Sequence, residues 1–404
     1  MSGILGNRWY VAARRGLNIP FHGWVRILDC PRCGGAMKRN GTTTAGKVRW
    51  RCKSAACGGS KTRSNDTTTK DFVTFLGWLF SKRSQAELPG GGRTFRRKTK
   101  QFWDLWPMAP LIDEIFPVIY VDGIHLGRKA VVLIARNDTH VLGWYIARTE
   151  HSAAWEALLS RIAPPVLVVT DGGSGFAKAR RNIWPQTKVQ RCLFHIHNNI
   201  LVKTTRRPKL LPAQELKVLA RSLLYIKQAR QADEWIEAYL SWETRWARFL
   251  DETSSYTNGH IGYTHQRLVE ARSMLRTLGN SKTMFTYLDE SLTKAHGALP
   301  CTTNVIEGAT NAPLREMLRL HRGMKLDRRL KAIAWHCYQH TPHPLPAAEI
   351  LATMPTDQDI ENAYQQAHQN NPETIRQQTG APQLWGNAID WHNMRHTQGF
   401  QNFY

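Results

Sequence analysis

The sequence predicts an α/β protein preceded by a small, strongly basic N-terminal region, and three observations predict it. Apolar, strand-like runs alternate with helical segments between residues 117 and 191. The following stretch, residues 200–300, keeps helical periodicity instead. Four of the seven cysteines, and two thirds of the excess positive charge, are gathered ahead of both.

A chain of 404 residues is long enough for two or three domains, each with its own core. It has no run of about 18 apolar residues and no N-terminal apolar stretch followed by a small-residue cleavage site. A cytoplasmic protein with no membrane partner is expected. Lys and Arg number 55 against 31 Asp and Glu, a net +24, and residues 1–105 alone hold 21 against 5, a net +16. Such a region attracts polyanions, chiefly by releasing counterions from phosphates. Nucleic acid is therefore the expected partner, with a generally basic, solvated surface as the simpler alternative.

Residues 1–66 are expected to hold an N-terminal segment and a zinc ribbon. Residues 1–28 are apolar and basic, carry Trp9 and Trp24, and suggest no definite element. Cys30, Cys33, Cys52 and Cys57 then follow a C-x2-C, 18-residue, C-x4-C spacing. Two close pairs on two turns can offer four thiolates tetrahedrally to zinc. Two disulfides are the alternative, disfavoured by the missing secretion signal and the odd number of cysteines. Between the pairs, KVRWRCK alternates like a strand and sets Lys47, Arg49, Arg51 and Lys53 on one side, suited to phosphates or simply solvated.

Residues 67–115 carry a helix-turn-helix-like pattern. TTTKDFVTFLGWLF reads as an amphipathic helix opened by a Thr cap. After a Gly-containing turn, RTFRRKTKQFWDLW reads as a basic helix with Phe95, Phe102, Trp103 and Trp106 on its apolar side. Many helical hairpins share this pattern. Beside a zinc ribbon it points to DNA, with Arg93, Arg96, Arg97, Lys98 and Lys100 lying on the duplex.

From Phe116 the pattern becomes α/β. Strands are predicted at 117–121, 129–135 and 141–147, the last two joined by a hairpin turn at 136–140. A helix at 151–162, a strand ending at Asp171, a helix at 174–183 and a strand at 187–191 complete the order of a ribonuclease-H-like core, its first part spanning 116–199. Residues 200–300 read as an all-helical insertion, in which Trp235, Trp242 and Trp246 share a helix face and belong to a core. The last part of the core is placed at 301–342. Beyond it, residues 343–404 are Gln/Asn-rich and poor in apolar residues, and read as a tail that drapes over a partner or stays mobile.

Three acids stand where a two-metal nuclease or transferase needs them: Asp122 after the first strand, Asp171 after the fourth and Glu307 on a later helix. Shared carboxylates can hold two divalent ions and support in-line displacement at phosphorus; oxygen ligands favour Mg²⁺ or Mn²⁺. Each acid also has a plainer reading. Asp122-Gly123 fits a turn, Asp171 a helix cap, and Asn304-x-x-Glu307 a capping box.

The stretches YVDGIHLGRK, VVTDGGSGFAKARRNIWPQTKVQRCLFHIHNNI and TTNVIEGATNAPLRE, in that order, resemble the DDE transposases of the insertion-sequence 256 and Mutator-like superfamily, and its 1249 branch in particular. The resemblance covers residues 117–340. It implies a ribonuclease-H-like core, with Asp122, Asp171 and Glu307 as the catalytic acids and magnesium ligands. It also implies binding of terminal inverted repeats, cleavage of double-stranded DNA, and strand transfer by the freed 3′-hydroxyl into target DNA. A homodimer or higher oligomer on paired ends, in the bacterial cytosol or nucleoid, is the accompanying expectation. A regulator that only binds DNA, and a nuclease on the same core, are the competing readings.

Cys192 and His195 match the family's Cys-x-x-His signature. Two ligands do not complete a zinc site, so with Asn304 they are expected to support the acids, while His197 is structural or on the surface. Cys301 and Cys337 read as ordinary buried thiols. Gly308 and Pro313 depart from the family's smoother helix, and the helix is expected to kink or restart near Pro313. Glu316, nine residues after Glu307, would face about 180° away on a continuous helix.

Overall fold

A computed structural model describes residues 29–44, 46–62, 67–255, 261–360 and 362. Trp9, Trp24 and most of the expected C-terminal tail lie outside the described residues. The chain divides into two compact units, residues 1–75 and 76–404.

The first unit contains a three-stranded antiparallel sheet, β1 (Met37–Thr42), β2 (Val48–Cys52) and β3 (Ser60–Thr62), in that order. Its apolar interior is small: Cys30, Met37 and Cys52 are buried, and Trp50 and Cys57 pack against them. A core this size needs a further tie to be stable. Helix α1 (Thr68–Leu79) follows.

In the second unit, α2 (Gly91–Thr99) runs into a tighter 3₁₀ turn at Lys100–Asp104. Trp78, near the end of α1, meets Phe95 and Trp103 edge-on, with ring centroids 5.1 and 6.5 Å apart. These are aromatic positions expected to line the apolar side of the helical pair. Each such ring buries a large area.

The centre of the unit is a five-stranded sheet. Its strands are β4 (Val118–His125), β5 (Val131–Arg136), β6 (Val141–Ala147), β7 (Leu167–Thr170) and β8 (Lys188–Arg191). They lie in the order β6-β5-β4-β7-β8, with β4, β5 and β6 antiparallel and β4, β7 and β8 parallel. Strands β5, β6 and β7 are buried along their whole length, so they are near-continuous apolar runs rather than alternating ones. Helices α3 (Ser152–Leu159) and α4 (Ser174–Ile183) supply the crossovers. Trp155 and Phe176 join them edge-on at 5.1 Å, within a core that includes Ile119, Val121, Leu133 and Val168.

Helices α5 (Leu193–Thr204), α6 (Leu211–Ser222), α7 (Ala229–Leu250), α8 (Gln266–Ser281) and α9 (Glu290–His296) follow. The first four of them share a separate core in which Trp235 and Trp242 are buried and Trp246 is partly buried. The segment departs from the all-helical expectation at one place. Strands β9 (Thr253–Ser255) and β10 (Ile261–Tyr263) pair antiparallel between α7 and α8.

The chain then enters α10 (Asn304–Ile306), a π turn over Glu307–Asn311, and α11 (Ala312–Leu320). Helix α12 (Leu326–Gln339) packs on β6, and α13 (Ala347–Thr353) comes after it. The described part of the expected tail is no tail. Ile350 and Ile360 are buried, and Trp106 N–H donates to Pro355 O at 2.8 Å. Asp357 Oδ1 accepts from Trp106 Nε1 at 2.5 Å and from the buried Lys331 Nζ at 2.7 Å. Composition suggested a solvated segment because its polar residues outnumber its apolar ones; the few apolar ones are the ones that dock.

Candidate active site and cysteine cluster

Strand register places the first two acids. Tyr120 pairs with Val169 in the parallel β4–β7 ladder, so continuing that register sets Asp122 level with Asp171. This is the carboxyl end of β7, where open α/β sheets receive ligands. Asp122 lies inside β4, opposite Ile134 of β5, and not in a turn after the strand as the sequence suggested. Asp171 leaves β7, and Gly173, not Asp171, is the N-cap of α4. Between them, Gly172 has φ +92°, and the Arg191 guanidinium lies so close over it that a Cβ would stand 1.7 Å from Arg191 Cζ. Only glycine fits there. Arg191 also donates to Asp171 O.

Glu307 arrives from the other side of the chain, at the start of the π turn, and Thr303, not Asn304, caps the helix before it. Its Oε2 accepts from Arg315 Nη1 at 2.8 Å, and its Oε1 lies 3.9 Å from His195 Nε2. The Glu307 carboxylate also lies close to that of Asp122. Burial and the neighbouring Glu307 and Asp171 carboxylates push Asp122 up to about 7, against the pull of the Gly123 N–H. Burial would raise Glu307 too, but the bonds from Arg315 and Asp122 outweigh it and hold Glu307 below its usual range. The two acids are thus driven in opposite directions, Asp122 toward its neutral form and Glu307 toward its charged one.

Cys192 is buried next to this group. Its sulfur accepts from Thr303 N and Thr303 Oγ1, both at 3.3 Å, and Thr303 Oγ1 lies 3.4 Å from His195 Nδ1. Burial resists ionisation of Cys192, yet the bonds from His195 and Thr303 lower its pKa. The bond to Cys192 in turn raises His195 to about 9. Asn304 is exposed, and Thr303 beside it makes these contacts. His197 is half-buried against Asn198. Glu316 points elsewhere, to Lys82 at 2.9 Å.

Asn311 is the residue sequence reasoning missed. It is fully buried, and its Nδ2 donates to Asp122 Oδ2 at 2.6 Å. Its only sequence signal was a helical spacing of four from Glu307. Arg315, at twice that spacing, carried the same weak signal.

In the N-terminal unit the four cysteines converge, with one sulfur of each within 4.8 Å of the others. Cys30 and Cys57 sulfurs are 3.6 Å apart, as are those of Cys33 and Cys52. All are free thiols. Backbone N–H groups of Arg32 and Cys33 hold Cys30 down to about 7. Gly59 leaves the sulfurs room, since a Cβ there would meet Cys30 Sγ at 2.5 Å. Four thiolate-capable sulfurs at this spacing fit one tetrahedral metal such as zinc. Lys47, Arg49, Arg51 and Lys53 are all exposed. So are Arg93, Arg96, Arg97, Lys98 and Lys100 in the second unit, where Gln85 Oε1 accepts from Arg96. Among the described residues no helix is long and apolar enough to cross a membrane.

Residues 106–277 match the family model described as "Transposase, Mutator family". The chain is 25% identical over 164 residues to the transposase for insertion sequence element IS905 of Lactococcus lactis subsp. lactis (strain IL1403), covering 36% of this chain and 41% of that protein. It is 27% identical over 208 residues to the transposase for insertion sequence element ISRM3 of Rhizobium meliloti (strain 1021), covering 45% and 52%. It is 35% identical over 126 residues to the transposase for insertion sequence element IS6120 of Mycolicibacterium smegmatis, covering 27% and 39%. The chain spans about half the length of the curated relatives it matches, or less.

Proposed function

We propose, from the match of residues 106–277 to the Mutator-family transposase model, that the chain cuts DNA at the ends of an insertion sequence and joins the freed 3′-hydroxyl to a target. The observation that carries the chemistry is the meeting of Asp122, Asp171 and Glu307. The register of β4 and β7 sets the first two level, and the charge of the third bears on the first. The strand order β6-β5-β4-β7-β8 supports a ribonuclease-H-like core, with the helices after β8 as its insertion and Glu307 in its last part.

The donor set fits divalent cations. Its ligands are carboxylate oxygens, and Asp122 is driven toward its neutral form by burial and by neighbouring carboxylates whose charge a cation would offset. Asp122, Asp171 and Glu307 would hold Mg²⁺ or Mn²⁺. When bound, such ions make an oxygen nucleophile stronger at neutral pH and neutralise charge at the phosphate. The chain's own part is orientation. Gly123 N–H holds Asp122 Oδ1 at 2.7 Å, and Gly173 N–H holds Asp171 Oδ1 at 3.2 Å. His195, protonated at neutral pH, keeps a positive charge facing Glu307.

Zinc held by Cys30, Cys33, Cys52 and Cys57 would brace the small N-terminal sheet. The ribbon and the helical pair, residues 1–66 and 67–115, are read as the parts that bind terminal repeats through phosphate contacts. The test is cleavage and strand joining in Mg²⁺ on duplexes carrying the ends of the encoding element. Asp122→Asn, Asp171→Asn and Glu307→Gln should each abolish both steps, and Glu316→Gln should not. Activity surviving in any of the first three refutes the catalytic assignment. DNA binding without Mg²⁺-dependent cleavage by the wild type would instead identify a regulator.

A further inference from the structure

The segment that carries Glu307 does not run on as an α-helix. Ala312 N–H reaches back five residues to Glu307 O and closes the π turn. Pro313 gives the reason: it has no N–H for Ala309 O, and in an α-helix its ring would press on that carbonyl. Widening the turn by one residue relieves both problems, and π turns of this kind sit often at functional sites.

The last two residues of the turn, Thr310 and Asn311, are 1% and 0% exposed, although polar side chains are seldom so buried. They do different work. Thr310 Oγ1 accepts from Arg136 Nη1 at 2.8 Å and ties the turn to β5. Asn311 Nδ2 donates to Asp122 Oδ2, while Gly123 N–H holds the other oxygen. With both oxygens tied, the carboxylate plane cannot swing. Asn311 Oδ1 is buried and accepts no hydrogen bond among the described residues. A buried acceptor left without a donor is unfavourable, so the amide is not oriented for its own satisfaction. The reverse orientation would set its oxygen against Asp122 Oδ2.

We propose that Asn311 is a positioning residue that holds the Asp122 carboxylate in the orientation that receives a divalent cation, and that sets its spacing from Glu307 because both ride on one π turn. The inference rests on reading Asp122, Asp171 and Glu307 as cation ligands. Groups that orient a metal's ligands typically contribute 10–100-fold in affinity.

The test is binding of Mn²⁺ alone to the full chain, read as loss of the free-ion electron paramagnetic resonance signal, with folding followed by thermal melting. Wild type should bind, and Asp122→Asn should abolish binding. Asn311→Leu, which keeps the volume and loses the donor, should weaken binding about 10–100-fold. Thr310→Val should lower the melting temperature and change affinity less than about twofold, because Thr310 touches no acid of the site. If Asn311→Leu does not fold, Asn311→Ala is read the same way. Wild type failing to bind, or binding untouched by Asp122→Asn, overturns the ligand reading and this inference with it. Unaltered affinity in the Asn311 variant, with Asp122→Asn effective, overturns the positioning role alone. So does an equal loss in Thr310→Val, since the amide would then matter only for holding the turn.

Discussion

Arg315 Nη1 lies 2.8 Å from Glu307 Oε2, eight residues ahead of it on the far side of the π turn. The guanidinium occupies an oxygen that a cation would need. Its side chain is 59% exposed, so the bond is worth only about 0.2–1 kcal/mol. Arg315→Ala should therefore tighten Mn²⁺ binding about 1.5–5-fold in the absence of DNA. Weaker binding in the variant would show that Arg315 holds Glu307 in place rather than competing for it.

Asp122 makes the stability of the metal-free protein depend on pH. At low pH the carboxyl is protonated in both folded and unfolded chains. As pH rises from about 4, the unfolded chain releases this proton while the folded one keeps it until about 7, so stability is lost across that window and the loss is constant above it. Asp122→Asn removes the effect. Its melting temperature should exceed that of wild type at pH 7.5, by roughly 2–4 °C for each kcal/mol relieved, and the two should converge near pH 4. Added Mn²⁺ should stabilise wild type more at pH 8 than at pH 6, and the variant at neither. A wild-type minus variant difference that does not change with pH contradicts the prediction.

Metal content should separate the two cysteine environments. Cys52→Ser should cost one zinc per chain by elemental analysis and expose the 29–62 segment to protease. Cys192→Ser and His195→Ala should leave zinc unchanged yet lower DNA cleavage, because their partners are Thr303 and Glu307. Loss of a zinc in either would give Cys192 and His195 a metal role they are not assigned here.

Lys331 is buried, with Asp357 and the Trp103 carbonyl as its acceptors. Asp357→Ala leaves that charge half-satisfied and should cost about 1–3 kcal/mol in urea unfolding. Lys331→Met removes the charge itself and should cost less. The opposite order would mean that the lysine's bond to the Trp103 carbonyl matters more than its pairing with Asp357.

Strand β6 and helix α4 lie where apolar run length and turn residues predicted them, because local pattern and burial agree there. The hairpin β9–β10 was illegible: TSS and IGY are too short and too exposed to leave an alternating pattern. Asp122 was read as following its strand because PVIYV ends the apolar run, yet backbone pairing carries β4 on to His125. Pro313 announced a break, but not its form. The break shows itself as a π turn only once Thr310 and Asn311 find Arg136 and Asp122, and those pairings, 174 and 189 residues apart, leave no mark in local sequence.

The bond between Trp106 and Asp357 joins residues 251 positions apart. At a ribosomal rate of about 5–20 residues per second, Asp357 is made roughly 10–50 s after its indole partner. During that interval Lys331, once made, lacks its Asp357 partner, and Trp106 lacks the segment that docks on it. A chain that stops before residue 357 has every proposed catalytic acid but lacks this docking contact. Synthesis must run almost to the end of the described residues before this bond can form.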